Sequence, residues 1–277
     1  MTELTIRGAH PAGFGATGRT DRWWVAPLLT VIGLGGFALY ATWAAFQGAH
    51  YYHAPYLSPL YSPLLFVDPA APGAAPLEHA WFGSWPAWWP WFLPASPAFF
   101  ILIFPGAFRA TCYYYRKAYY RSFFGTPPGC GVGPVPRKRY AGETSLLLVQ
   151  NLHRYALYAA IVFIIILYYD AYQAFFRDGR PGVGVGSIVL LINPTLLAAY
   201  TLGCHSFRHL IGGRLDCFSC DAASSARHGL WRQVSWLNGR HMEWAWASLL
   251  WVAFTDVYVR LVSMGIVRDI STWGPAA

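Results

Sequence analysis

The chain has 277 residues, of which 56% are hydrophobic and 12% are charged, and its mean hydropathy is +0.33. An ordinary soluble domain carries about 25% charged residues. The composition therefore excludes a soluble globular protein and indicates an all-α integral membrane protein. The net charge of +8 does not indicate nucleic acid binding, because the basic residues lie between apolar runs, where membrane proteins place their topology determinants.

The first predicted membrane span covers residues 23–46, which contain no charged residue. At about 1.5 Å per residue this run crosses a hydrocarbon core of about 30 Å. Three arginines lie in residues 1–22, so this N-terminal segment is predicted to be cytoplasmic. Residues 47–97 contain no lysine or arginine and are rich in proline, tryptophan and tyrosine. Their aromatic density predicts a cap that packs at the outer membrane interface.

Four further apolar runs follow, and the last of them contains Asp256 and Arg260, which are predicted to pair because they lie four residues apart. Kinks are expected at Pro105 and at Asn193-Pro194. Residues 124–143 and 212–235 are predicted cytoplasmic loops, and 268–277 an outer tail. The predicted spans in this membrane domain of residues 23–267 are 98–115, 145–170, 187–211 and 236–267.

The distribution of basic residues supports this topology. Sixteen of the 20 lysines and arginines lie in residues 1–22, 109–154 and 208–240, which the topology places in the cytoplasm. The sequence therefore predicts a five-helix bundle with a cytoplasmic N-terminus and an outer C-terminus.

The five cysteines are an odd number without a secreted-type spacing, and their predicted positions are cytoplasmic. Structural disulfides are therefore not expected. Cys217 and Cys220 form a single C-x-x-C, which is a weak zinc signal without a second pair. We interpret it as incidental or as serving redox stability only.

Histidines and cysteines recur near the cytoplasmic ends of four predicted spans. In TLGCHSFRHLIGG, residues 201–213, potential ligands fall within two predicted helical turns. Ionisable residues at the end of a membrane helix are a functional hypothesis by default. Each residue alone has an ordinary interpretation, as a small packing cysteine or an interfacial histidine, but together they predict a redox centre. The set is Cys112, His153, Cys204, His205, His209 and His241.

Two redox centres fit this set. Haem b requires two histidines on facing helices, such as His153 or His209 opposite His241, and it leaves the cysteines without a role. A [2Fe–2S] cluster with mixed Cys/His ligands uses both residue types, and imidazole ligands raise its reduction potential, which suits electron transfer toward a quinone. The predicted metal ligands are Cys112, Cys204, His241 and either His205 or His209, with Cys130 as a substitute thiolate.

A quinone needs a hydrogen-bond donor for its carbonyl and apolar or aromatic walls for its ring. Several residues near the predicted cytoplasmic interface offer both. The alternative interpretation is an ordinary interfacial belt of aromatic residues with snorkelling arginines. The quinone-binding candidates are Trp23, Tyr113, Tyr114, Arg116, Tyr119, His153 and Arg154.

An ordered series of motifs also carries a resemblance: TCYYYRKAYYRSFF, PPGC, QNLHRY, CHSFRHLIGGRL and NGRHM. Over residues 98 to 262 the chain resembles the single-chain, cytochrome b-type membrane anchor of bacterial succinate dehydrogenase and fumarate reductase, respiratory complex II. The resemblance implies a cell-membrane anchor for a flavoprotein subunit and an iron–sulphur subunit, with menaquinone or ubiquinone as electron acceptor. Many such anchors hold haem b between paired histidines. Here Cys112 stands where one haem histidine is expected, which favours the cluster.

Two other functions remain open. A purely structural anchor would leave the quinone site to partner subunits, and Cys112, Cys204 and His241 could then be changed without loss of quinone reduction. A transporter could use Asp256, Arg260 and a broken fourth span, but the sequence has no internal repeat. The sequence has no flavin or nucleotide fingerprint, so the chain itself is not expected to oxidise succinate.

Overall fold

A computed structural model describes residues 13–135, 142–213 and 215–274, without the side chains of 142–150. Short antiparallel strand pairs join β1 (Tyr52–His53) to β2 (Tyr56–Leu57) and β3 (Phe176–Arg177) to β4 (Arg180–Pro181). The helices of these residues are α1 Val25–Gln47, a 3-10 turn at Leu77–His79, α2 Ala98–Ile101, α3 Ile103–Thr111, α4 Tyr113–Ser122, α5 Gly142–Gln173, α6 Val185–Leu202, α7 His205–Gly212, α8 Ala222–Gly239 and α9 His241–Ser263.

Four helices are long and apolar enough to cross a membrane: α1, α5 from Asn151 onward, α6 and α9. The prediction of an all-α, multi-pass membrane protein is therefore confirmed. The second predicted span is shorter, because its apolar part is the interrupted pair α2 and α3, Ala98–Thr111. The number of five spans stays a prediction.

The bundle is centred on α6, which packs against α5 and α9, while α3 packs on α5 and α1 on α4 and α9. Helix α6 continues through Pro194. Side chains from α3, α5, α6 and α9 meet in a buried core around Phe108, Leu157, Tyr200 and Leu249. Helix α1 buries little of its surface within the chain, so its apolar face is left to lipid or to partner subunits.

The helices break where the sequence predicts continuity. The second predicted span breaks at Leu102 and Cys112, and the fourth ends α6 at Leu202 and restarts as α7. The prediction of a loop over residues 212–235 is wrong for most of that segment, because helix α8 begins at Ala222. Asp221 caps α8 by accepting a hydrogen bond from the Ser224 amide (2.8 Å), which satisfies one of the unpaired amides of its first turn.

The segment 47–97 packs into a core of its own, as expected of a cap, while its position at the outer membrane interface stays a prediction. Tyr51 and Tyr61 are buried in its core and stack with centroids 4.5 Å apart. The predicted pair of Asp256 and Arg260 is also confirmed, at 3.4 Å. Asp256 accepts a hydrogen bond from Ser58 of the cap, and the Arg260 guanidinium donates to a cap carbonyl at Ala49 (2.8 Å). This buried pair therefore fastens the cap to α9.

The N-terminal and C-terminal segments each pair with a different connecting segment of the bundle. Thr17 pairs with Val132, and Arg19 donates to the Cys130 carbonyl (2.8 Å), so the N-terminal segment lies beside the loop after α4. Gly184 pairs with Ser271, so the C-terminal segment lies beside the start of α6. The predicted segments 1–22, 124–143 and 268–277 fall partly outside the described residues, at 1–12, 136–141 and 275–277.

The expectation of no structural disulfide is wrong for the C-x-x-C. Cys217 and Cys220 are joined by a disulfide, with their Cα atoms 5.8 Å apart. The turn that leads into α8 brings the two residues within the usual range for this bond, which spacing alone does not reveal. Cys112, Cys130 and Cys204 are free.

Candidate redox site

Cys112 and Cys204 occupy the same structural position in two different helix breaks. Both have extended backbone, with ψ of 130° and 143°, and both are the residue immediately before a new helix, α4 and α7 respectively. Both cysteines therefore lie between two helices, whereas the sequence had placed each within a continuous predicted span. The start of a helix carries partial positive charge, which favours an anionic sulphur.

Each cysteine contacts one histidine from another helix. The Sγ of Cys112 lies 3.5 Å from Nε2 of His241, at the start of α9. The Sγ of Cys204 lies 2.9 Å from Nε2 of His153, on α5. The structure thus brings together Cys112, Cys204 and His241 from the predicted metal ligands, and adds His153, which the sequence had suggested for quinone binding.

A ladder of rings connects the two Cys–His pairs. His153 stacks on Phe108 (4.7 Å), Phe108 meets Tyr200 edge-on (5.4 Å), and Tyr200 stacks on His241 (4.9 Å between centroids). Both cysteines, Phe108 and Tyr200 belong to the same buried core. The two pairs therefore share one largely buried compartment in the bundle.

Two buried polar atoms in this compartment have no hydrogen-bond partner among the described residues: Nδ1 of His241 and the hydroxyl of Tyr200. His153, by contrast, is oriented on its other side by Thr111, whose Oγ1 lies 2.9 Å from Nδ1. Native proteins rarely leave buried polar groups without a hydrogen-bond partner, and such groups often have a functional role.

Arg109 supplies positive charge next to the ladder. Its guanidinium lies 4.8 Å from the centroid of the Tyr200 ring and donates to the Ser248 hydroxyl (3.0 Å) and the Ala245 carbonyl (3.2 Å). The side chain is thereby fixed between α3 and α9. A fixed cation at this position stabilises additional negative charge in the compartment.

The remaining metal candidates lie elsewhere. His205 and His209 lie four residues apart on one face of α7, but both are exposed and border cavities near α8. Cys130 is exposed, and its carbonyl accepts the Arg19 hydrogen bond. Within the described residues, no three histidine, cysteine or acidic side chains converge as a site for a single metal ion.

The quinone candidates fall into separate places. Arg154 lines a cavity between α5, α7 and α8, and Trp23 lies at the start of α1. Tyr113 is 65% exposed beneath the guanidinium of buried Arg116 (5.4 Å to the ring centroid). Tyr119 donates to the Ala110 carbonyl (3.0 Å).

Tyr114, on the first turn of α4, accepts a hydrogen bond from Nε1 of Trp246 (2.7 Å). The Trp246 ring contacts α1 near Gly33, where an added Cβ would lie 2.7 Å from it. Tyr114 thus stands between α1 and α9, two residues after Cys112. The structure gives its own hydroxyl hydrogen no acceptor among the described residues.

Comparison with known proteins is consistent with this architecture. Residues 25–265 match the family described as actinobacterial succinate dehydrogenase subunit SdhC. The chain belongs to this SdhC family. A chain of the Mycobacterium smegmatis Sdh1 complex in its apo form has 47% sequence identity, with a TM-score of 0.80 over 91% of this chain and 92% of that chain. No curated protein matches the sequence.

Membership of the SdhC family makes the chain a membrane anchor subunit of a succinate dehydrogenase complex, and hence a subunit of an oxidoreductase. The resemblance read from the ordered motifs is therefore confirmed. Further subunits of the same complex are its expected partners.

Proposed function

We propose that this SdhC subunit relays electrons from an iron–sulphur subunit to a quinone through a [2Fe–2S] cluster held by Cys112, His153, Cys204 and His241. The observation that carries the proposal is the pair of Cys–His contacts, 3.5 Å and 2.9 Å, inside one buried compartment. Four different elements of the bundle supply these side chains. Relative to the prediction from sequence, His153 replaces His205 or His209 as the second imidazole.

The donor set suits a binuclear cluster. Such a cluster needs two pairs of ligands, and the compartment supplies two Cys–His pairs. Among the described residues, no group of three such side chains forms a site for a single metal ion. Two thiolates and two neutral imidazoles leave an oxidised [2Fe–2S] centre formally neutral and a reduced one singly negative. This low charge limits the penalty of burial in a membrane, and Arg109 lies close enough to stabilise the reduced form.

When bound, the cluster would supply one-electron transfer at a potential raised by its imidazole ligands. The chain's own residues do the rest. The helix starts at α4 and α7 orient the two thiolates, and Thr111 orients His153. The hydroxyl of Tyr200 is available to donate to a cluster sulphur, and Phe108 and Tyr200 exclude water.

Haem b is a weaker candidate in this arrangement. Two axial imidazoles would have to face each other across a porphyrin. Here Phe108 and Tyr200 fill the space between His153 and His241, and both imidazoles turn toward cysteines. The two rings would have to leave the core to admit a haem.

The quinone is proposed to accept electrons at the first turn of α4. Tyr114 supplies a free hydroxyl hydrogen for a quinone carbonyl, and Trp246 and the part of α1 around Gly33 supply aromatic and apolar walls. The two electrons from succinate and two protons convert the quinone to a quinol. The flavoprotein and iron–sulphur subunits are proposed to bind at this same end, with the N-terminus cytoplasmic and the C-terminus outside.

The test is a series of single substitutions in the whole complex, with iron and acid-labile sulphide measured per complex. Cys112→Ser, Cys204→Ser, His153→Gln and His241→Gln should each lose two iron and two sulphide and abolish quinone reduction. His205→Gln and His209→Gln are the matched controls and should retain the full content. Succinate-dependent reduction of a soluble dye verifies that the partner subunits are assembled and active.

Full iron and sulphide in the first four variants, with quinone reduction intact, would make the chain a structural anchor. If iron and sulphide are lost in His205→Gln or His209→Gln and retained in His153→Gln, the ligand set predicted from the sequence is the correct one.

A further inference from the structure

Two adjoining cavities open at the junction of α5, α7 and α8, apart from the Cys–His compartment. The larger has a volume of about 400 Å³ and the smaller about 230 Å³. His209 and Gly213 line both, so the two cavities adjoin at these residues. We call them together the basic cavity.

Glycines at the end of α7 keep the basic cavity open. A Cβ added to Gly212 would lie 2.2 Å from Cδ1 of Trp231, and one added to Gly213 would lie 2.6 Å from Nδ1 of His209. Side chains at these two positions would displace the lining residues.

The lining of the basic cavity is cationic. Arg154 and Arg227 line the larger part and Arg208 lines the smaller part, and among the described residues no aspartate or glutamate lines either. In the described part of the chain, none of these three arginines has a carboxylate within 4.0 Å. An uncompensated group of arginines around a cavity indicates an anionic ligand.

Hydrogen bonds within the chain orient two of these arginines, and all three keep N–H groups that can donate to a ligand. Arg227 donates from Nε and Nη2 to the carbonyls of Ile211 and Gly213 (2.8 to 3.1 Å), which leaves its Nη1 hydrogens. Arg208 donates from Nε to Ser235 (3.0 Å) and lies 4.5 Å from the Trp231 ring centroid, so both of its Nη groups remain. Arg154 has no hydrogen bond among the described residues.

Apolar walls place this charge beside the acyl region of a membrane. Leu157, Tyr158 and Leu210 line the larger part, and Trp231 the smaller part. Arg154 lies in the first turn of the apolar, membrane-length section of α5, which begins at Asn151. A ligand held here has phosphate-like charge on one side and hydrocarbon on the other.

We propose that the basic cavity binds an anionic phospholipid whose headgroup carries two phosphates, one in each part, with His209 between them. Basic pockets between membrane helices bind such headgroups through the same combination of charge and apolar wall. A neutral quinone needs one or two donors and would leave most of these arginines without a counter-ion. None of the four proposed cluster ligands, nor Tyr114, is among the residues that line the basic cavity.

The experiment measures lipid binding to the delipidated whole complex by native mass spectrometry and by thermal stabilisation. The probes are diphosphatidylglycerol, phosphatidylglycerol, phosphatidylcholine and inorganic phosphate. We expect diphosphatidylglycerol to bind at least tenfold more tightly than phosphatidylglycerol. The Arg154→Gln/Arg227→Gln variant should bind diphosphatidylglycerol at least tenfold more weakly than the wild type. Arg180→Gln, which removes an exposed arginine in β4, is the control and should bind as the wild type does.

Three outcomes would overturn the proposal. Equal binding of lipids with one and two phosphates contradicts a headgroup that spans both parts. Stabilisation by inorganic phosphate alone, equal to that by the lipid, indicates a soluble anion. Unchanged lipid binding in Arg154→Gln/Arg227→Gln, together with a raised KM for quinone, returns Arg154 to the quinone site suggested by the sequence.

Discussion

Replacing Asp256 with alanine should loosen the cap from the bundle. Asp256 is fully buried, accepts hydrogen bonds from Tyr40 and Ser58, and pairs with Arg260, whose side chain is 7% exposed. Removing the carboxylate leaves the guanidinium buried without a counter-charge, which costs about 3–5 kcal/mol. The free energy of the lost charge-assisted hydrogen bonds is included in this range and is not added to it, because these hydrogen bonds and the ion pair act as one network.

The assay is chemical denaturation of the complex in detergent micelles, with limited proteolysis of residues 47–97 as a local readout. Glu243→Gln changes an exposed acid on the same helix and should alter the free energy of unfolding by less than about 0.5 kcal/mol. Adding Arg260→Met to Asp256→Ala should recover part of the loss, since no unpaired charge remains. A loss below about 1 kcal/mol in Asp256→Ala, or a double variant as unstable as the sum of both single changes, would refute the reasoning.

Three other predictions concern single groups. Tyr200→Phe should lower the midpoint potential of the proposed cluster by about 40 mV in a redox titration, because a hydrogen bond of about 1 kcal/mol is lost and a one-electron couple shifts by about 59 mV per 1.4 kcal/mol; no shift relative to the exposed control Tyr155→Phe would remove Tyr200 from the site. Tyr114→Phe should raise the KM for quinone about 2- to 12-fold by loss of one hydrogen bond of about 0.5–1.5 kcal/mol, whereas dye reduction by succinate stays constant, and an unchanged KM would place the quinone elsewhere. Replacing Cys217 and Cys220 together by serine should destabilise the complex by at most about 2 kcal/mol, since the closed loop is short, and loss of quinone reduction would give this disulfide a functional role.

The sequence predicted what hydropathy and charge determine directly. Long apolar runs identify the helices that contain Asn193 and Asp256, and the four-residue spacing of Asp256 and Arg260 identifies their pair, because both signals are local. The aromatic, cation-free segment 47–97 was likewise recognisable as a packed cap.

The position of the ligands was less predictable, because it depends on where helices break. An apolar run does not show that Cys112 and Cys204 are extended residues between two helices, so the sequence placed both within continuous spans. Their closeness in sequence grouped His205 and His209 with Cys204, although both histidines lie on an exposed face of α7. The contact of His153 with Cys204 depends on the packing of α5 beside α7, which only the folded chain reveals.

The most direct test of the central claim is an EPR spectrum of the reduced, purified complex, recorded beside its optical spectrum. We expect a rhombic signal with the low average g value of a mixed Cys/His [2Fe–2S] cluster, and this signal should disappear in Cys112→Ser and His153→Gln. Haem b bands without this signal, or the absence of both, would contradict the claim.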